Sequence, residues 1–186
     1  MADQRMKVSF ALDEQDIAYF RSRFRKAKRA ARGQDEGDVI AQARSLVATV
    51  RATKKAPHFV RESVTAIEDL VELIEDAYYK APKTVVAKVI AALAYFANPD
   101  DLIPDEIPVL GFLDDAIMIK IVENEFKHEL AAYRKFRRFH HGAEQRPWTS
   151  VASERLPRRL EERRKKLRVE VDRKQAADAE KGSGIL

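Results

Sequence analysis

Residues 83–97 read KTVVAKVIAALAYFA, residues 98–111 read NPDDLIPDEIPVLG, and residues 112–126 read FLDDAIMIKIVENEF. The middle stretch carries Pro99, Pro104 and Pro108. Each proline removes a backbone donor and pushes the residue before it toward extended geometry, so no continuous helix can pass through. The stretches on either side have helical composition. The first is apolar nearly all round, which predicts a buried helix from Lys83 to about Ala97. In the second, at 100° per residue, Ile117, Met118, Ile119, Ile121, Val122 and Phe126 share one arc, and Lys120, Glu123, Asn124 and Lys127 share the opposite one. The reading is a helix, an acidic proline-rich turn and a second helix that runs on from Phe112 toward His141 and ends near Gly142.

Neither apolar stretch is suited to spanning a bilayer. Val85–Ala97 holds Lys88 and falls well short of the roughly 20 apolar residues required, and Ile107–Val122 contains Pro108, Asp114, Asp115 and Lys120. A soluble core is expected instead, with membrane association through the apolar hairpin and the basic ends as an alternative.

Outward from this hairpin the pattern stays helical, so the fold class expected is an all-α small bundle. Asp13 reads as an N-cap with Asp16 in the first turn, and Ile17, Phe20 and Phe24 follow at helical spacing until Gly33. Asp38 reads as the cap of a second helix carrying Val39, Leu46, Val47 and Val50. Pro57 and Pro82 each open a helix, a position where the missing N–H costs nothing. Val64, Ile67, Val71, Ile74 and Tyr78 form the stripe of the third helix. Residues 1–12, including Val8 and Phe10, are a lead-in, residues 13–141 the helical domain, and residues 82–126 its central hairpin. Residues 142–186 read as a loop around Trp148, bracketed by Pro147 and Pro157, then a charged helix or partly disordered tail. Leu160, Leu167 and Val171 look too sparse there to make a core.

The chain has 186 residues and no cysteine, which excludes a disulfide framework, a thiolate metal site and a thiol nucleophile. Charge is unevenly spread: residues 1–32 carry +5, 33–80 carry −3, 81–126 carry −5 and 127–186 carry +8. Basic ends flank an acidic, apolar middle. Such ends attract nucleic acid, anionic lipid or acidic protein without distinguishing them. No secretory signal is read at the N-terminus, so the expected location is cytoplasmic, with peripheral membrane attachment as the variant.

Four aspartates, Asp101, Asp105, Asp114 and Asp115, lie in and just after the proline-rich stretch. Asp114 and Asp115 fall inside the apolar arc, and carboxylates aimed at a core need donors. Free N–H groups at the helix start can supply them, and Lys88 is the candidate structural ion-pair partner. Asp101 and Asp105 can cap the turn in the same way. The alternative is that all four converge on a hard divalent cation such as Mg²⁺, Ca²⁺ or Mn²⁺, with hydrolytic chemistry to match. No nucleophile or phosphate loop accompanies them, so the reading leans away from catalysis.

The run Asp101-Leu102-Ile103-Pro104-Asp105, Ile107-Pro108-Val109-Leu110-Gly111, Leu113-Asp114-Asp115 resembles the hallmark of the YkvA-like family (DUF1232, a domain of unknown function) over about residues 82–122. The resemblance implies a small helical domain and no established activity, cofactor or substrate. Members of that family are often labelled membrane proteins.

Other constellations are weaker. Glu125 and His128 form a single Glu-x-x-His pair where di-iron bundles need two. His140 and His141 read as a favourable helix end. Tyr133, Phe136 and Phe139 interleave with Arg134, Lys135, Arg137 and Arg138, and a second basic run holds Arg163, Arg164, Lys165, Lys166 and Arg168. These are the candidate basic surface. Glu68, Glu72, Glu75 and Asp76 make an acidic face that is either solvated or docked on Arg21, Arg25, Lys28 and Arg29 of the first helix, a choice that charge alone does not decide. The expected role is a non-catalytic interaction or scaffold module with a protein partner. An anionic membrane surface is the next partner, and nucleic acid the third.

Overall fold

The computed structural model describes residues 11–30, 33–54, 56–97, 112–144 and 150–183. All of the regular structure among them is α-helical, as expected: α1 (Glu14–Ala30), α2 (Glu36–Ala52), α3 (His58–Glu75), α4 (Lys83–Leu93), α5 (Leu113–Glu125), α6 (Lys127–Glu144) and α7 (Ser150–Ser183). The lead-in residues Val8 and Phe10, the proline-rich turn with Asp101 and Asp105, and Trp148 lie outside the described residues.

Local chemistry sets most helix starts. Asp13 Oδ1 accepts from the N–H groups of Gln15 and Asp16, while Asp16 Oδ2 accepts from the Asp13 N–H at 3.0 Å. This reciprocal pairing satisfies otherwise orphaned donors. Helix α2 is capped by Asp35, not Asp38: its Oδ1 accepts from Gly37 and Asp38 N–H groups. Asp38 instead lies in the first turn of α2, where its charge complements the helix dipole. Pro57 and Pro82 immediately precede α3 and α4, as predicted. Gly33 adopts φ +96° after α1, a conformation glycine enters without steric cost.

The core is centred on α3. Val60, Val64, Ile67, Leu70 and Leu73 are fully buried, and α2, α4, α5 and α6 all pack against this helix. The stripe predicted for α3 holds through Val71, but Tyr78 lies past the helix end and is exposed.

Three expectations are corrected. Helix α4 is not buried all round: Val85, Val89, Ala92 and Leu93 are buried, but Ala87 and Lys88 are exposed. Its apolar character comes partly from alanine, which water tolerates as well as the core does. The long helix after Phe112 is two helices, broken at Phe126, whose φ −102° and ψ 15° leave the helical range. The buried Phe126 ring sits in the core, so packing rather than a proline or glycine sets the break. Finally, residues 150–183 are one helix with Pro157 inside it. Its residues Leu160, Leu167 and Val171 are buried in the same core. Spaced at seven and four, they form a narrow seam, which is enough for a helix lying along one neighbour.

Because that seam is part of the core, Leu167→Ala should reduce unfolding free energy by about 2–4 kcal/mol in urea denaturation. A loss below about 0.5 kcal/mol would mean that α7 is a dispensable tail.

Candidate functional site

Two carboxylates lie deep in the bundle. Asp69 on α3 is 2% exposed and Glu129 on α6 is 3% exposed. Each is met by arginine from another helix. Arg134 Nε donates to Asp69 Oδ2 at 2.6 Å, and Arg137 Nη1 lies 3.1 Å from Oδ1. Arg168 of α7 donates to both Glu129 oxygens at 2.8 and 2.9 Å, a bidentate fork joined by Gln175 Nε2 at 3.3 Å. Planar two-point pairing of this kind suits guanidinium and carboxylate geometry. Helices α3, α6 and α7 are thus bolted together by part-buried ion pairs, the carboxylates enclosed and the guanidiniums reaching solvent.

Peripheral pairs extend the network. Glu72 meets Arg137, while Glu68 and Glu75 meet Arg51 and Arg44 of α2. The acidic face of α3 therefore docks on α2 and α6, not on the basic α1. Its neighbours in space are set by the apolar stripe, and charge follows that packing. Asp76 instead turns the chain, its Oδ1 accepting from the Tyr78 and Tyr79 N–H groups. At the α6–α7 seam, Lys135 and Lys174 both donate to Glu170, which holds its carboxyl down to about 2. Lys127 and then His128 hold Asp178 at about 2 as well.

Much of the expected basic surface is spent internally. Arg134, Lys135 and Arg137 are the network cations just named. Arg163 stacks over Phe139 at 5.6 Å, Arg164 donates to the Tyr78 carbonyl, and Lys165 pairs with Glu161. Arg138 and Lys166 are exposed. Glu125 and His128 do not act together: Glu125 reaches Lys28 of α1 at 3.0 Å and His128 reaches Asp178 at 2.9 Å. Tyr79 packs edge-on against Tyr133 and Phe136, and burial pushes its hydroxyl up to about 12.

Asp114 and Asp115 are 3% and 8% exposed in the first turn of α5, where the arc reading puts them, and both have interaction partners. Phe112 precedes them with φ +67°, a strained value for a residue with a side chain. Lys88 is exposed on α4. Asp101 and Asp105 lie outside the described residues. No group of three or more histidine, aspartate or glutamate side chains placed to hold a metal ion occurs among the described residues.

An open cleft of about 1200 Å³ lies between α1, α3 and α5. Its apolar lining includes Ile17 and Phe24 of α1, Phe59 of α3, Ile117 and Ile121 of α5, and Leu130 of α6. Phe59 is 46% exposed, a large ring left partly wet. Arg21 and Arg25 stand on the α1 rim and Glu62 and Lys120 on the far side. Lys120 pairs with Glu123 at 2.7 Å and Glu62 with His58 at 3.3 Å. Arg21 and Arg25 are exposed and make no ion pair among the described residues. Sequence inspection did not single out this cleft, because its lining comes from four helices and none of its residues forms a local motif.

Residues 85–121 match the family described as "Protein of unknown function (DUF1232)". A 47-residue stretch is 45% identical to the "Uncharacterized membrane protein YkvA" of Bacillus subtilis (strain 168), covering 25% of this chain and 44% of that protein. The chain thus spans less than half of the length of the curated relative it matches. Its hairpin segment is YkvA-like, in keeping with the resemblance read from the acidic turn. No solved structure matches the chain. No helix among the described residues is long and apolar enough to cross a membrane.

Glu129→Ala should cost about 1–3 kcal/mol of stability, because Arg168 is 25% exposed and still meets Asp172. Replacing the pair together, Glu129→Leu with Arg168→Met, should restore more than half of that loss in chemical denaturation. The seam carboxylates predict an acid response. Both are depressed, so their contribution is complete above the ordinary values of 4.5 and 3.8 and fades as pH falls toward about 2. Amide exchange in α7 should therefore accelerate over this range before exchange in α3 does. Simultaneous loosening of both helices would contradict the assignment.

Proposed function

We propose that this protein is a non-catalytic interaction module whose docking surface is the cleft between α1, α3 and α5. The carrying observation is the cleft's construction. An apolar floor with a half-wet phenylalanine is surrounded by charged rims, and part of that floor, Leu113 to Ile121, belongs to the YkvA-like segment. Exposed apolar surface enclosed by a polar rim is the usual form of a binding site. The buried carboxylates support the same reading, because Asp69 and Glu129 are engaged by arginines in structural roles.

Attachment to a membrane surface is the second reading. It is favoured by the name of the relative, an uncharacterized membrane protein. It is also favoured by α1, whose Arg21, Arg25, Lys26 and Arg29 are exposed beside Tyr19. Such a helix gains about 1 kcal/mol per cation at an anionic leaflet.

The docking reading is tested with an uncharged apolar dye, Nile red, whose fluorescence rises in apolar clefts. The full chain should bind it. Phe59→Ser combined with Ile117→Gln should weaken binding by about tenfold, the loss expected for removing two apolar contacts, with circular dichroism unchanged. Dye binding that ignores the substitutions would overturn the cleft as the docking surface.

A further inference from the structure

The cleft's dimensions and its uncommitted cations identify the chemistry of an occupant. A helix with side chains is 10–12 Å across and advances 5.4 Å per turn, so each turn fills about 500 Å³. The cleft of about 1200 Å³ therefore accommodates two to three turns. It exceeds the 300–1,000 Å³ typical of small-molecule pockets. Its lining is largely apolar, with Phe24, Phe59, Ile117 and Ile121 from three helices, as suits the apolar face of an amphipathic helix. A bilayer surface is flat and would bridge the rims without reaching Leu130, which is buried at the base.

Charge orients the occupant. On the α3 and α5 side, Glu62 and Lys120 are already paired. On the α1 side, Arg21 and Arg25 are exposed and without an ion pair among the described residues. They are four residues apart, so they rise about 6 Å along one helix face. Carboxylates at positions i and i+4 of a helix lying beside α1 have the same spacing.

Resting on the docking reading above, we propose that the cleft binds an acidic amphipathic helix of a partner protein. Its apolar stripe seats on Phe24, Phe59, Ile117 and Ile121, and its glutamates or aspartates face Arg21 and Arg25. The pairs are exposed and add modest energy, so they chiefly set orientation and discriminate by charge.

The test uses the full chain and two fluorescein-labelled synthetic helical peptides of about four turns. Both carry leucine at i, i+3, i+4 and i+7, one with glutamate and the other with lysine on the polar face. By fluorescence anisotropy at low salt, the glutamate peptide should bind about tenfold more tightly, the scale of two exposed ion pairs, and added salt should narrow the difference. Arg21→Glu combined with Arg25→Glu should reverse the order while leaving Nile red binding intact. Equal binding of both peptides, or an order unchanged by charge reversal, would overturn the proposal. Sedimentation with phosphatidylglycerol vesicles in the absence of binding to either peptide would assign the arginines to lipid and also overturn it. Nile red separates the two levels: dye binding without peptide binding removes only this occupant, and loss of dye binding removes the docking surface itself.

Discussion

Asp69 and Glu129 are carboxylates inside an apolar bundle, and each requires cations brought from a helix far away in sequence. An ionised group withdrawn from water is costly unless a partner replaces its hydration. That requirement restricts how α3, α6 and α7 can be arranged. If α6 rotated about its axis, Arg134 and Arg137 would leave Asp69, and Glu129 would leave Arg168. The apolar core supplies most of the stability, as in any domain of this size. The ion pairs penalise alternative rotations of the same amphipathic helices and so select one packing. Helix α6 is the hinge of this scheme, because it carries the arginines for α3 on one side and the glutamate for α7 on the other.

This arrangement redistributes the charge of the molecule. The last third of the chain is strongly basic as a sequence, yet Arg134, Lys135, Arg137, Arg168 and Lys174 are taken up by carboxylates of α3, α6 and α7, while Arg138, Lys166 and Arg173 stay exposed. The first helix has the opposite fate. Lys28 reaches across to Glu125 of α5 and lies over the Phe24 ring of its own helix, while Arg21 and Arg25 are exposed at the cleft. The location of available positive charge therefore differs from the location of positive residues. For a binding protein the distinction matters, since an ion pair already made within the fold contributes little to attracting a partner.

How much could be read in advance follows the range of the forces involved. Caps and prolines act over a few residues, so Asp13, Pro57 and Pro82 marked helix starts correctly. Helical periodicity is also local, and the arc through Ile117, Ile119 and Val122 placed Asp114 and Asp115 on the buried side of α5. The failures are non-local. Leu160, Leu167 and Val171 look sparse until α6 supplies the surface they cover. The break at Phe126 carries no breaker residue, because it is produced by seating a ring in the core. The acidic side of α3 offered solvent or the basic first helix, and only packing geometry chose α2 and α6. The cleft was illegible for the same reason, being the space left where four separately readable helices fail to meet.

Its order of residues alone marks this chain as cysteine-free and helical in pattern, with a proline-rich acidic segment similar to YkvA, because composition, caps and 3.6-residue periodicity operate within a segment. Which helix is enclosed, which carboxylate finds which arginine, and which cations stay available to a partner were decided by tertiary structure. Those outcomes depend on distances between residues 30 to 100 positions apart, which close only when apolar faces pack and exclude water.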